Sequence, residues 1–128
     1  MIQVVCAIIT NRDKFLICQR SSNMKLPLKW EFPGGKIEEN ETNEEGLIRE
    51  IYEELGLRIN VNKALTSIKH NYPEFSIELI PYVSEIVSGN LKPIEHKEVR
   101  WITLEELNNF DWAAADIPIV EEVIKLWS

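Results

Sequence analysis

The sequence contains few of the residues that build zinc sites or disulfide-stabilised folds. Its 128 residues include two cysteines, Cys6 and Cys18, and two histidines. The cysteines have no CxxC spacing and the histidines are not clustered, so a zinc site is poorly supported. Because free cysteine behaves as a small hydrophobic residue, we expect both thiols to be reduced and buried in the core.

The chain also lacks an excess of positive charge. It has 14 Lys and Arg residues against 21 Asp and Glu residues, which gives a net charge of -7. Affinity for polynucleotides comes largely from Lys and Arg side chains that release counterions, so we expect no DNA or RNA partner. A small phosphorylated ligand remains compatible with this charge, because a bound metal ion inverts the local field.

Long apolar runs, repeats and low-complexity segments are absent. The apolar stretch at residues 4–9 is too short to span a membrane and lacks the flanks of a signal peptide. We therefore expect no membrane partner and a cytoplasmic location. A chain of this length can bury well over half of its unfolded surface in one core, so we predict a single domain over residues 1–128.

The apolar pattern predicts several strands. Residues 4–9 and 15–18 flank a polar turn at residues 11–14, which indicates a hairpin. Further strands are expected at residues 59–61, 64–70, 75–87 and 98–101. Pro81 should place its strand at a sheet edge or at a bulge, because proline cannot donate to a ladder. Pro33, Gly34 and Gly35 indicate a turn with unusual backbone dihedrals.

A capping box at residues 42–45 predicts a helix that begins after Thr42, ends at Leu55 and is closed by a left-handed Gly56. At 100° per residue, the helix presents one apolar stripe and one acidic face beside it. The predicted core stripe consists of Leu47, Ile48, Ile51 and Leu55. The acidic face consists of Glu50, Glu53 and Glu54.

Two more helices are expected near the end of the chain. Thr103 and Glu106 form a second capping pattern, which predicts a short helix to about Leu107. The last helix should begin after Asp116, which can act as its N-cap. We expect that helix to bury Val120, Val123, Ile124 and Trp127. Strands mixed with a few helices indicate the α+β class, with helices packed around a sheet.

The three glutamates on one helix face repel one another, since like charges at these spacings destabilise a helix. A plain solvated acidic face is one interpretation. The other is a metal platform, because Mg²⁺ keeps several waters while it bridges a few carboxylates to substrate phosphates.

The surrounding residues favour the metal platform. From Gly35 the sequence reads Gly, five residues, Glu41, seven residues, and then Arg49 to Leu57 as REIYEELGL. This resembles the box of the Nudix hydrolases, GX5EX7REUXEEXGU with U apolar, and every defined position matches. Residues 30–38, WEFPGGKIE, resemble the MutT branch, and the likeness extends over essentially the whole chain. It implies the Nudix fold, a mixed β-sheet sandwiched between α-helices.

The resemblance also implies an activity and a set of catalytic residues. A Mg²⁺-dependent hydrolase of this branch, with Mn²⁺ able to substitute, cleaves a nucleoside triphosphate to a monophosphate and pyrophosphate. Glu50 is implied as a ligand or the general base, and Arg49 as the residue that orients the carboxylates. Glu41 either braces the loop and helix or takes part in catalysis. The implied metal ligands are the Gly35 carbonyl and the carboxylates of Glu50, Glu53, Glu54 and Glu95.

Substrate contacts follow from the same likeness. Arg20 matches a phosphate-contacting arginine, although a surface cation is the alternative, and Lys36 is similar. Trp30, Glu31 and Phe32 on one side, and residues 112–118 with Asp116 on the other, resemble the walls of a base pocket. Other candidates carry open alternatives: Phe75 and Leu79 either line this pocket or pack in the core, and His96 is either a base or a solvated loop residue.

The nucleotide is the least determined feature. Asp116 stands where 8-oxoguanine-specific MutT proteins usually have Asn. An ionised carboxylate only accepts hydrogen bonds and favours an amino group such as cytosine N4, whereas a protonated one can pair with an oxopurine. Residues 115–118, with Glu95 and His96, resemble the subgroup that acts on CTP, dCTP and modified pyrimidine nucleotides. The alternatives are an 8-oxo-dGTP diphosphatase and a catalytically silent nucleotide sensor, and the protein is expected to be a monomer or a homodimer.

Overall fold

The computed structural model describes residues 1–128, in which eight strands form one mixed sheet. The path through the sheet is β3-β2-β1-β7-β5, while β4 pairs with β1, β6 with β7 and β8 with β2. The strands are β1 (Ile2–Asn11), β2 (Lys14–Gln19), β3 (Trp30–Glu31), β4 (Gly34–Lys36), β5 (Leu57–Ala64), β6 (Ile68–Asn71), β7 (Ser76–Gly89) and β8 (Glu98–Thr103).

Strand β1 is the centre of the sheet. It runs parallel to β7, from the pair Ile2 and Ile77 to the pair Ile9 and Ser84, and antiparallel to β2 and β4. The predicted hairpin of β1 and β2 is confirmed, and its turn residues Arg12 and Asp13 both have positive φ angles.

The prediction that Pro81 marks a sheet edge or a bulge is wrong, since its ladder with β1 continues without a register shift. Strand β7 is interior, with β1 on one side and both β5 and β6 on the other. The carbonyl of Pro81 accepts a hydrogen bond from Leu65, in the gap between β5 and β6. The N and C=O of a strand residue face the same neighbour, so the missing N–H falls where no ladder partner is present. The same gap interrupts the strand predicted over residues 64–70.

Helix α1 (Asn43–Leu55) agrees with its predicted bounds. The Thr42 side chain accepts from the Glu45 amide at 3.1 Å, and the Glu45 carboxylate accepts from the Thr42 amide at 2.8 Å. Gly56 ends the helix with a φ angle of 72°. These contacts satisfy amide groups that the first helical turn leaves free.

Helix α1 covers one face of the sheet. Leu47, Ile51 and Leu55 are fully buried and pack with alternate residues of β1, such as Val5 and Ala7. The prediction for the fourth residue of the stripe is wrong, because Ile48 is 39% exposed. The sheet meets only about one side of the helix, and Ile48 lies at the margin of that side.

Helix α2 (Ile117–Trp127) covers the other face, where it packs with Cys6 and Ile8 of β1. Val120 and Val123 are buried as predicted, but Ile124 is only half-buried. Trp127 is 37% exposed, with its ring edge against Phe15. The prediction missed Ile119, which is fully buried on this helix. The mixed sheet therefore lies between two helices, which confirms the predicted fold class.

Short segments complete the chain. The second capping pattern opens a 3₁₀-helix at Leu104–Asn109, two residues longer than predicted, and a further 3₁₀ turn occupies Ala114–Asp116. Cys6 and Cys18 are free and buried, as predicted. No helix is both long and apolar enough to cross a lipid bilayer.

Candidate active site

The two glycines before helix α1 form a strand, so the predicted turn with unusual dihedrals is wrong. Gly34 and Gly35 belong to β4, and neither has a positive φ angle. They are needed for close approach: a Cβ on Gly34 would lie 1.9 Å from the Val5 carbonyl oxygen. A Cβ on Gly35 would lie 2.2 Å from Oε2 of Glu50. The backbone of β4 is thereby held against both β1 and the acidic face of α1.

Arg49 organises the carboxylates around β4. Its guanidinium donates to both oxygens of Glu41, at 2.7 and 3.0 Å, and to the Lys36 carbonyl at 3.0 Å. It also donates to Glu50 at 3.0 Å and to Glu53 at 3.2 Å. The hydrogen bonds from Arg49 lower the pKa of Glu41. This bidentate pair fits the bracing role for Glu41, since a planar fork fixes a carboxylate in one orientation.

Glu54 is the most perturbed carboxyl group of the helix. Its Oε2 atom is buried and has no hydrogen-bond partner. Burial, followed by the charges of Glu50 and Glu31, raises the pKa of Glu54 to about 9. A buried oxygen without a donor is costly, so this position suits a cation that would supply the missing partner.

The residues around Glu54 fit a divalent ion of the magnesium type. No three His, Cys, Asp or Glu side chains converge closely enough to form a complete protein cage. Mg²⁺ does not require one, because it usually binds one or two carboxylates and retains water. The partnerless oxygen of Glu54, the Glu50 carboxylate against Gly35 and the 55% exposed side chain of Glu53 leave room for such an ion.

Glu95 lies in the loop between β7 and β8 and is exposed. Two backbone bonds hold this loop against the end of α1: Lys92 donates to the Leu55 carbonyl at 2.8 Å and Ile94 donates to the Glu54 carbonyl at 3.1 Å. The charge of Glu95 contributes to the raised pKa of Glu54. The loop therefore brings Glu95 near the acidic face of α1. Glu95 does not line the cavity that opens beside Glu54.

A cavity of about 290 Å³ opens beside Glu54. It brings together residues that are far apart in sequence. Its lining combines three acidic side chains, those of Glu31, Glu54 and Asp116, with mostly apolar residues. The predicted site residues that line it are Arg20, Glu31, Phe32, Gly35, Lys36, Glu54, Phe75, Leu79 and Asp116. The phosphate-binding candidates Arg20 and Lys36 thus meet the base-pocket candidates Glu31, Phe32 and Asp116 in one cavity.

Asp116 lines this cavity together with Phe32 and Glu31. It is buried, and its Oδ2 atom accepts a hydrogen bond from the Phe32 amide at 3.0 Å. The predicted N-cap bond is therefore wrong, since the carboxylate bonds to the amide of Phe32, between β3 and β4, and to no amide of α2. Burial, with the charge of Glu31, raises the pKa of Asp116 well above its usual value. Oδ1 has no partner in the chain and remains available to a ligand.

Two tryptophans pack around Phe32, which lines the cavity. Trp112 stacks on Phe32 with ring centroids 5.0 Å apart, and Trp30 forms a bridge to Trp112. Neither tryptophan lines the cavity, so the expectation that Trp30 and Trp112 form walls of the base pocket is wrong. They hold Phe32, which is itself only 2% exposed.

Glu31 joins Arg20 and His96 in one polar cluster. Nη1 of Arg20 donates to Oε1 of Glu31 at 2.9 Å, and Nε2 of His96 lies 2.9 Å from Oε2 of Glu31. The side chain of His96 is 1% exposed, so its interpretation as a solvated loop residue is wrong. The alternative of Arg20 as a surface cation is also wrong, because its side chain is 19% exposed and bonded to Glu31.

Sequence reasoning missed several residues of the cavity wall. The hydroxyl of Tyr72 accepts from the Ala115 amide at 2.9 Å, beside Asp116. Lys25 lies 4.8 Å above the ring of Phe75. The aromatic pair Tyr72 and Phe75 around Pro73 was a usable signal. No sequence signal indicated Lys25, because the polar segment around it has no pattern that predicts its conformation.

Comparisons with known proteins agree with this geometry. Residues 2–123 match the family model described as the NUDIX domain. The chain is 35% identical over 126 residues to the CTP pyrophosphohydrolase of Escherichia coli K12, covering 98% of this chain and 93% of that protein. It is 29% identical to the 8-oxo-dGTP diphosphatase of the same organism, covering 98% of each. The crystal structure of a MutT protein from Methanosarcina mazei Go1 superimposes with a TM-score of 0.88 at 28% identity, covering 98% of this chain and 94% of that one. The chain therefore belongs to the Nudix family and is a hydrolase.

Proposed function

We propose that this single-domain Nudix hydrolase cleaves CTP, dCTP or modified pyrimidine nucleoside triphosphates to a monophosphate and pyrophosphate. The observation that carries the proposal is the shared cavity, which is lined by Glu54 and Gly35 and also by Glu31 and Asp116. We propose that a nucleotide binds in it with its phosphates toward Glu54 and its base toward Asp116. The similarity to a CTP pyrophosphohydrolase supports the choice of base.

Nudix hydrolases generally need divalent metal ions, and we propose Mg²⁺, with Mn²⁺ able to substitute. The proposed donors are the Gly35 carbonyl and the carboxylates of Glu50, Glu53, Glu54 and Glu95. Such an ion supplies neutralisation of phosphate charge and a more acidic bound water.

The chain's own residues orient these groups. Arg49 holds Glu50 and Glu53 by hydrogen bonds, which limits their rotation. Glu50, packed against Gly35, is proposed as a ligand or as the base that takes a proton from the attacking water. Arg20 and Lys36 line the cavity and are proposed to bind the phosphates.

Base recognition is proposed to use two acids in different states. The raised pKa of Asp116 favours its protonated form, in which Oδ1 donates a hydrogen bond. This weakens the argument from the sequence that an ionised Asp116 accepts from cytosine N4. Glu31 supplies the acceptor instead, because its carboxylate lines the cavity while it receives bonds from Arg20 and His96. An acceptor beside a donor matches the N4 amino group and N3 of cytosine.

An 8-oxo-dGTP diphosphatase is the second candidate. The similarity to an enzyme of that name covers 98% of this chain, and 8-oxoguanine also presents a ring N–H beside a carbonyl oxygen. A silent nucleotide sensor is a weaker alternative, because all the glutamates of the box are present.

The first test is pyrophosphate release from CTP, dCTP, 5-methyl-dCTP, dGTP, 8-oxo-dGTP and a nucleoside diphosphate sugar, each with Mg²⁺ and with EDTA. Release that needs the metal and is fastest with the cytosine nucleotides supports the proposal. Faster release from 8-oxo-dGTP retains the mechanism and rejects the base assignment. No release from any compound rejects the proposed hydrolysis.

The base assignment has its own variant. Asp116→Asn keeps an acceptor for the Phe32 amide and offers NH₂ in place of the Oδ1 donor, so the ratio of kcat/KM for CTP to that for 8-oxo-dGTP should stay within about two-fold. Asp116→Leu removes the donor and should lower kcat/KM for CTP about ten-fold, the value of one hydrogen bond. Asp111→Asn, at an exposed carboxylate paired with Lys29, is the control. Equal kcat/KM for CTP in Asp116→Leu and the wild type argues against base reading at this position.

The remaining proposals concern context. We propose a monomer or homodimer in the cytoplasm, with no polynucleotide or membrane partner, in keeping with the net charge of -7. Light scattering after size-exclusion chromatography gives the oligomeric state, and a gel-shift experiment with DNA and RNA at low salt tests the lack of a polynucleotide partner.

A further inference from the structure

His96 is buried beside the cavity without being part of its lining. It lies in the loop that carries Glu95, and its side chain is 1% exposed. Nε2 lies 2.9 Å from Oε2 of Glu31, whereas Nδ1 is buried and has no partner. The ring therefore has one neighbour with which it can exchange a hydrogen bond.

This arrangement selects one tautomer of the ring. With the hydrogen on Nε2, the ring donates to Glu31 and leaves only a lone pair on Nδ1. The other tautomer would place a lone pair against the carboxylate and bury an N–H without an acceptor, which costs more. His96 is therefore a donor to Glu31.

Glu31 is held from two directions. Arg20 donates to Oε1 and is itself fixed by a hydrogen bond from its Nε to the Lys25 carbonyl, while His96 donates to Oε2. The two donors come from the end of β2 and from the loop before β8. Each carboxylate oxygen thus has one assigned donor, and both donors must be in place to define the orientation of the group.

The position of Glu31 requires such support. Its charge acts on both Asp116 and Glu54. Partial burial removes water from the ionised Glu31 carboxylate, which favours its rotation toward solvent unless donors replace that water. The side chain of Glu31 is 17% exposed and has solvent within reach, so a lost donor would allow that rotation.

We propose that His96 is a positioning residue that holds the Glu31 carboxylate at the base-binding end of the cavity and so determines selectivity for the nucleobase. The inference rests on the proposed function for the identity of the base. The hydrogen bond between His96 and Glu31 is independent of that identity.

A double-mutant cycle on the complete protein tests the proposal. His96→Leu keeps an apolar side chain of similar volume but removes the donor, and Glu31→Gln removes the charged acceptor. We expect each to raise KM for CTP about ten-fold, the order expected for a hydrogen bond to a charged group, with a smaller effect on kcat. The double variant should be no worse than either single variant, since both changes break one interaction.

A rescue variant separates positioning from simple packing. The amide nitrogen of Gln can occupy the place of Nε2, so His96→Gln should retain KM within about two-fold of the wild type, whereas His96→Leu does not. Ile94→Ala alters a side chain that is 67% exposed in the same loop and serves as the control for loop disturbance. The proposal would be overturned if the KM of the double variant rose by the product of the two single changes. Equal changes in KM for His96→Gln and His96→Leu would also overturn it.

Two further readouts keep the test independent of CTP hydrolysis. If 8-oxo-dGTP is the better substrate, the same cycle is measured with it, and the proposed base fails while the positioning role is still tested. A two-dimensional ¹H–¹⁵N spectrum of the ring should show the hydrogen of His96 on Nε2 in the wild type, without any nucleotide or metal. A hydrogen on Nδ1 would reject the proposed bond, even in a protein that hydrolyses CTP.

Discussion

Replacing Glu54 by glutamine should stabilise the metal-free protein at alkaline pH while it abolishes catalysis. The folded protein raises the pKa of this carboxyl from 4.5 to about 9, mainly because it is buried. Between these two values the folded state retains a proton that the unfolded chain has released. The contribution of Glu54 to stability is therefore fully present below pH 4.5 and is lost as the pH rises toward 9.

The size of the effect follows from the number of protons. One proton over two pH units corresponds to about 3 kcal/mol. From pH 6 to pH 8, the free energy of unfolding of wild type should thus fall by up to about 3 kcal/mol relative to that of Glu54→Gln, which has no charge to bury. Urea unfolding in EDTA, followed by the fluorescence of the four tryptophans, measures this difference.

Magnesium should offset most of the stability that wild type loses relative to Glu54→Gln between pH 6 and pH 8. An ion at a hundred times its Kd stabilises wild type by about 2.7 kcal/mol, and Glu54→Gln should gain much less because it lacks the anionic ligand. Turnover of the best substrate should fall at least a hundred-fold. Glu121→Gln, at an exposed position on α2, is the matched control. Parallel pH profiles for wild type and Glu54→Gln, or equal stabilisation by Mg²⁺, would refute the reasoning.

Three other substitutions test the site and the core. Glu53→Gln should lower turnover by several orders of magnitude with an unchanged circular dichroism spectrum, and near-normal activity would reject Glu53 as a ligand. Gly35→Ala should lower kcat, because its Cβ would lie 2.2 Å from Oε2 of Glu50 and would displace that carboxylate; an unchanged kcat would contradict the close approach. Ile51→Ala should cost about 2–5 kcal/mol in urea unfolding and Ile48→Ala under about 1 kcal/mol, since their exposures are 0% and 39%; equal losses would contradict the assigned helix face.

Local features of the chain were predictable from the sequence because their causes are local. The capping box at Thr42, the left-handed Gly56 and the hairpin turn at residues 11–14 depend on neighbouring backbone groups. The spacing of the box glutamates likewise predicted which residues share a helix face. The Nudix resemblance added the fold, because its defined positions all match in one continuous segment.

Features that depend on distant partners were not predictable in this way. Gly34 and Gly35 indicated a turn, yet they form a strand, because β1 and Glu50 approach too closely for a Cβ. Pro81 indicated an edge, yet it lies in an interior strand opposite a gap between β5 and β6. The residue type shows only that the backbone lacks a Cβ at the glycines and an N–H at the proline. Several arrangements of neighbouring strands are compatible with each of these.

By itself, the sequence determined the β1–β2 hairpin, the bounds and acidic face of α1 and the residue types available for hydrolysis, since periodicity and capping act over a few residues. Tertiary structure alone decided the environments of these groups. It buried His96 against Glu31, turned Asp116 from a helix cap toward the Phe32 amide, and left Glu54 Oε2 without a partner. Burial and electrostatic interaction depend on which groups are in contact in the folded protein, and the spacing of residues along the chain does not specify those contacts.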